Sequence, residues 1–187
     1  MKKFPLLALV CLLAGVMVMP GCSSATKVDP AKKFIAFSYK SNTTSMVGGG
    51  IQTITGSKDG VVYLGMPRAD VVAAKGAISA YSQFFAKYDE NDNCISMMIA
   101  NIYDKTLYNA MGVGSNYADI IPAYSVDPDV VVELDTPQKV ILSKMIDGVK
   151  YTVTFRNYAS DNTVKTFTIT NTSLYTESED DYPAYAQ

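Results

Sequence analysis

The sequence predicts an α+β domain, a mostly antiparallel β-sheet with one or two mid-chain helices packed on it. Two patterns point there. In the first and last thirds of the chain, apolar and polar residues alternate with a period of two, as in strands with one buried face. Between Pro67 and Gly112 the period lengthens toward 3.6, the mark of an amphipathic helix. The size fits as well: 187 residues, 48% of them hydrophobic, suffice for one domain with a proper core. The alternative is an all-β sandwich, which arises if residues 78–88 and 94–103 pair as a hairpin.

In chain order, residues 33–40 alternate, with Ile35, Phe37 and Tyr39 on one face of a strand. Residues 41–45 form a polar loop. Gly48, Gly49 and Gly50 follow without the Gly-Lys-Ser/Thr that a phosphate-cradling loop needs, so they read as a loop or bulge. Strands over 51–55 and 61–66 flank Lys58-Asp59-Gly60, and Asp-Gly is a hairpin turn signal because both residues tolerate positive φ. After Pro67, Val71, Ala74, Ile78, Tyr81, Phe85 and Tyr88 recur at spacings of 3, 4, 3, 4 and 3. That stripe predicts a helix over 71–88, with Asp70 as its N-cap. Residues 89–93 make a solvated turn; a calcium loop is rejected because Cys94 stands where its glycine belongs and Ala100 where its closing glutamate belongs.

Residues 94–111 admit two readings. Asn93 as N-cap, the set Ile95, Met98, Ile99, Ile102 and Tyr103, and Gly112 as a stop favour a second helix. A buried strand over 94–103, paired back across the turn, is the other. Residues 112–129 then form a long loop, of the kind that is often functional or mobile. Strands follow over 130–134, 139–146, 149–156 and 164–170, with Asp147-Gly148 as a turn, giving an antiparallel meander with one wet face.

At the N-terminus, Lys2 and Lys3 precede an apolar run of about 16 residues, short of the roughly 20 that span a bilayer as a helix. It ends in Met19-Pro20-Gly21-Cys22, with Ser23 next. This stretch resembles the signal and lipobox of bacterial lipoprotein precursors. The resemblance implies cleavage before Cys22, a thioether-linked diacylglycerol on its sulfur and acylation of its new amino group. It also implies delivery to the outer membrane, since no aspartate follows the cysteine. The expected organisation is a signal peptide over 1–21, a lipidated tether over 22–32, one globular domain over 33–172 and an acidic flexible tail over 173–187. As flexible coil, ten tether residues span on the order of 18 Å.

Composition excludes more than it identifies. The chain has no histidine, so Ser-His-Asp and Cys-His nucleophile systems are absent, as are ordinary zinc, copper and haem sites. Cys11 leaves with the signal and Cys22 carries lipid, so Cys94 has no partner for an intramolecular disulfide and reads as a small buried hydrophobe. Without Lys2 and Lys3 the formal charge moves from −2 to −4, with no basic patch for nucleic acid. Asp127, Asp129, Glu133 and Asp135 are the candidate carboxylates for calcium or acid–base chemistry; Glu133 and Asp135, two apart on a strand, would project from one face. A solvated loop and strand edge is the plainer account. No catalytic residue, cofactor or metal is assigned. The expected function is a non-enzymatic binding or structural module of the cell envelope, anchored to the membrane through Cys22 and facing the periplasm or the surface. Its partner is an envelope protein or a small ligand. A carrier of apolar molecules, with Tyr81 and Phe85 lining a cavity, and a carboxylate-dependent hydrolase are the alternatives.

Overall fold

In the computed structural model, residues 28–47, 51–77, 83–100, 105–157 and 161–178 are described. Cys22, the signal stretch, Ile78, Tyr81 and residues 179–187 lie outside them. The fold is α+β and dominated by antiparallel sheet.

The described chain opens with a 3-10 helix over Pro30–Ile35 rather than an extended tether. Asp29 caps it by accepting the Ala31 N–H at 3.0 Å, and Pro30 supplies a preset φ at the first helical position. Its last two residues, Phe34 and Ile35, are buried.

Strands β1 (Ala36–Val47) and β2 (Ile51–Tyr63) form a long antiparallel hairpin. The turn expected at Asp59-Gly60 is not there: Lys40 faces Asp59 and Tyr39 faces Gly60 within a continuous ladder. The hairpin closes between Val47 and Ile51 instead, and a register shift at Thr43/Thr44 absorbs one extra residue. Asp-Gly permits a turn but does not compel one when seven further residue pairs, from Ser41 with Lys58 to Val47 with Ile51, can form beyond it.

Helix α1 (Arg68–Ala77) begins two residues before Asp70, which sits in its first turn. Val71 is fully buried against the hairpin. The predicted helix over 71–88 does not continue: Gln83–Tyr88 is strand β3, paired with β4 (Cys94–Ala100). Phe84, Phe85 and Tyr88 fit both periods, and strand alternation wins because Phe84 enters the core while Phe85 packs on Met98 across the sheet. The turn between them is held by Asp89, whose carboxylate accepts the N–H groups of Asn91 (2.9 Å) and Asn93 (2.8 Å).

The helix favoured over residues 94–103 is likewise a strand across the described Cys94–Ala100. β4 is an inner strand between β3 and β9, and its residues are buried on both faces. A strand buried on both sides carries no alternation, so its sequence looks the same as a buried helical segment. The hairpin of the all-β alternative therefore exists, alongside helices that keep the fold α+β.

Strand β5 (Lys105–Thr106) pairs with β1 at Phe37 and Ser38. The loop expected over 112–129 contains a 3-10 turn at Tyr117–Asp119 and helix α2 (Ile120–Tyr124). Ile120 and Tyr124 are buried in the core, so this segment is a plug. Tyr124 shares a hydrogen bond with the Thr106 hydroxyl at 3.1 Å, and Asn109 donates to the Ala123 carbonyl at 2.6 Å.

The meander runs through β6 (Val130–Asp135), β7 (Lys139–Ile146), β8 (Val149–Arg156) and β9 (Thr166–Asn171). Asp147 and Gly148 both have positive φ, as the two-residue hairpin requires. The larger sheet has the order β3-β4-β9-β8-β7-β6, and β1, β2 and β5 form a separate smaller one. The expectation of one sheet built from both chain ends is thus corrected: mid-chain strands join the C-terminal meander. The core lies between the two. Phe37 meets Phe84 and Phe167 edge-on, and Tyr124 bridges Phe34 and Phe155.

Candidate functional site

The larger sheet presents two faces. Met97, Ile99, Val140, Leu142, Val153, Phe155, Phe167 and Ile169 point into the core. Alternation sends Thr152, Thr154 and Arg156 of β8, and Thr166, Thr168 and Thr170 of β9, to the other face. The sequence reads that face as wet. It is polar but buried: Thr154, Thr166, Thr168 and Thr170 are each at most 2% exposed, and Arg156 is 7% exposed. Threonine suits this because its branched side chain packs like valine while its hydroxyl finds a neighbour. Ser96 and Thr170, opposite one another, hydrogen-bond at 3.0 Å.

At one end of this face, the last residue of β8, is Arg156. One guanidinium nitrogen donates to Thr168 Oγ1 at 2.9 Å, and the other to the Glu177 carboxylate. The hydroxyls of Thr154 and Thr168 each lie 3.4 Å from a Glu177 oxygen. Beside this cradle opens a pocket of about 180 Å³, lined by Lys139, Ile141, Thr152, Arg156, Thr172 and Ser178 among others. The acidic tail expected to be free from residue 173 is not free across its described part. Residues 173–178 lie against the sheet, because Arg156 needs a counter-charge and Glu177 supplies it. Tyr175 donates its N–H to the Asn171 carbonyl at 3.1 Å, and its ring lies 4.5 Å from the Lys87 ammonium. The sequence held the signal for this site in the alternation Thr152, Thr154, Arg156 against Thr166, Thr168, Thr170. It gave no sign that Glu177 would return to the same face.

The four candidate carboxylates do not converge. A register shift between Val132 and Leu134 puts Glu133 and Asp135 on opposite faces, so the two-residue spacing loses its meaning. Glu133 accepts from Ser143 Oγ at 2.6 Å and Lys150 Nζ at 2.8 Å. Asp127 pairs with Lys144 at 2.5 Å, while Asp129 is 4.0 Å from the same ammonium and largely exposed. Asp135 lies at the other face near Tyr117. Burial first, then the Asp135 charge, pushes the Tyr117 hydroxyl up to about 12. Among the described residues no three of His, Cys, Asp and Glu are grouped as metal ligands.

The hydrogen bonds from Lys150 and Ser143 hold Glu133 below the usual carboxylate range. Burial pulls Asp127 upward, but Lys144 and the Asp129 N–H outweigh it and leave it lowered. Both groups then bind fewer protons folded than unfolded near their titration, so their contribution is present above the unfolded value of about 4 and lost as pH falls through the folded one. Acid unfolding of the double variant Glu133→Gln, Asp127→Asn is expected to show a shallower loss of stability below about pH 4 than wild type. Superimposable acid limbs would contradict these pairings.

Cys94 is buried at the head of β4, with its thiol 3.6 Å from the Ser96 carbonyl. Burial, only partly offset by that contact, pushes the thiol up to about 12. An uncharged, enclosed thiol is a poor nucleophile. A maleimide is expected to label Cys94 only when the protein is unfolded; fast labelling of the native protein would overturn the core assignment. Of the residues proposed for an apolar cavity, Phe85 packs on Met98 on the polar face, and Tyr81 lies outside the described residues.

No protein-family model, curated protein or solved structure matches the chain.

Proposed function

We propose that the chain is a lipid-anchored protein of the cell envelope that works by binding a partner or ligand, not by catalysis. The observation that carries the anchor is the apolar run ending in Met19-Pro20-Gly21-Cys22 behind Lys2 and Lys3, with its resemblance to lipoprotein precursors. The binding reading draws on side chains whose reactivity is already spent. Cys94 is enclosed, and Asp127 and Glu133 are engaged by lysines. The polar face with its Arg156 pocket is the surface shaped to receive a group. The test is expression of the full chain in a bacterial host with acyl labelling and membrane fractionation. Label on the protein and recovery with the membranes support the anchor; a soluble, unlabelled product removes it.

A further inference from the structure

We propose that the Arg156 cradle is a binding site for the carboxylate of an apolar acid, and that Glu177 occupies it as an internal stand-in. The inference rests on the binding role proposed above and gives it a ligand class.

The receptor and its occupant belong to different kinds of structure. Arg156, Thr154 and Thr168 sit on β8 and β9, inner strands paired on both sides. Their positions are fixed by the ladder. Glu177 sits beyond the turn at residues 172–174, on a segment without regular structure. A rigid set of donors thus holds a carboxylate delivered by a detachable piece of chain. One guanidinium nitrogen and two hydroxyls address the same carboxylate, and the second guanidinium nitrogen holds one of those hydroxyls in place.

Burial decides what can replace Glu177. The Arg156 side chain is 8% exposed, and a charge that enclosed cannot be left without a partner. Whatever displaces Glu177 must be an anion. Thr166, paired with Arg156 in the ladder but outside the pocket lining, has a buried hydroxyl oxygen with no hydrogen-bond partner among the described residues. Such an orphan is unusual in a finished core.

The surroundings select the body of the ligand. Ile141 lines the pocket and stands opposite Leu134 on the same face of the sheet. Val131 is opposite Ser143 and Met145 is two residues further along β7, both facing the same way. Leu134, Val131 and Met145 are 37%, 54% and 57% exposed. The apolar surface beside the cradle is therefore Ile141 with Leu134; the hydrogen-bonded group Ser143, Glu133 and Lys150 separates it from Val131 and Met145. A carboxylate on a short aliphatic body places its charge on Arg156 and its chain against Ile141 and Leu134. A fatty acid and the C-terminus of an apolar peptide share that chemistry.

The test titrates the purified full chain with octanoate, octanamide, inorganic phosphate and a Leu-Val-Leu peptide with a free or an amidated C-terminus. Glu177→Gln removes the internal competitor while keeping its shape. It is expected to bind octanoate or the free-acid peptide at least ten-fold tighter than wild type. The stronger of those two arms identifies the source of the carboxylate. Adding Thr168→Val, which removes one hydroxyl from the cradle, is expected to weaken that binding several-fold while the unfolding midpoint shows the sheet intact. Adding Arg156→Gln is expected to abolish it. Equal binding of octanamide, or of phosphate, overturns the carboxylate assignment. So does a Glu177→Gln protein that binds no better than wild type, which would leave Glu177 as a latch for the C-terminus. These readouts do not depend on Cys22, so failure of the anchor and failure of the cradle are separately visible.

Discussion

Replacing Phe155 by alanine is expected to destabilise the domain by about 3–5 kcal/mol. Phe155 is fully buried, and its ring lies 5.9 Å from that of Tyr124 and 6.0 Å from that of Phe167. Those two partners come from α2 and β9, so one ring joins the plug, the meander and, through Phe167, the smaller sheet at Phe37. The backbone around it is fixed by ladders on both sides and cannot collapse into the hole. For a domain of this size the loss lowers the melting temperature by on the order of 6–20 °C. Val131→Ala on exposed β6 is the control and is expected to cost under about 0.5 kcal/mol. Urea unfolding of the three proteins side by side is the measurement. A cost below about 1 kcal/mol for Phe155→Ala would mean that the aromatic cluster does not hold the two sheets together.

The difference between these two positions was partly readable in advance. Val149 to Arg156 alternates strictly, so the inward direction of Val153 and Phe155 follows from the sequence, and the bounds of β7 and β8 agree with the structure. Legibility fails where a strand has no free face. Cys-Ile-Ser-Met-Met-Ile-Ala offers no period to distinguish β4 from a helix, because both of its sides are covered. It fails again where one residue is inserted. The shift at Val132/Leu134 moves Asp135 to the face opposite Glu133, and nothing local announces it. The Arg156 site was half legible. Its threonine pattern is visible in the sequence and reads as solvated surface, because burial of a polar face depends on what later crosses it. Glu177 comes from 21 residues away, a contact with no local signal.

Replacing Cys22 by serine is expected to have an all-or-none effect. A serine hydroxyl cannot form the thioether, so the acyl label should fall to background and the larger, uncleaved precursor should accumulate. With several acyl chains at about 0.8 kcal/mol per buried methylene, the wild type should not leave the membrane in high salt. A protein held by charge alone would. The folded domain should be unaffected, because Phe34, Ile35 and the rest of the described core pack on one another. Its unfolding midpoint should match wild type within about 0.5 kcal/mol. Equal acyl label in wild type and Cys22→Ser would refute the lipidation of this cysteine.

The strand order also sets a timetable for folding. β3 and β4 meet across a five-residue turn and can pair as soon as they exist. The other edge of β4 waits for β9, and the Ser96–Thr170 contact joins residues 74 positions apart. Until β9 docks, Met97, Met98 and Ile99 form an open edge with apolar side chains on both sides, the surface on which chains aggregate. Closing so long a loop is also slow once the chain is complete. The rate-limiting event in refolding should therefore be the docking of β9 between β4 and β8. Until it happens, residues 83–100 depend on something else to keep them apart from their copies on other chains.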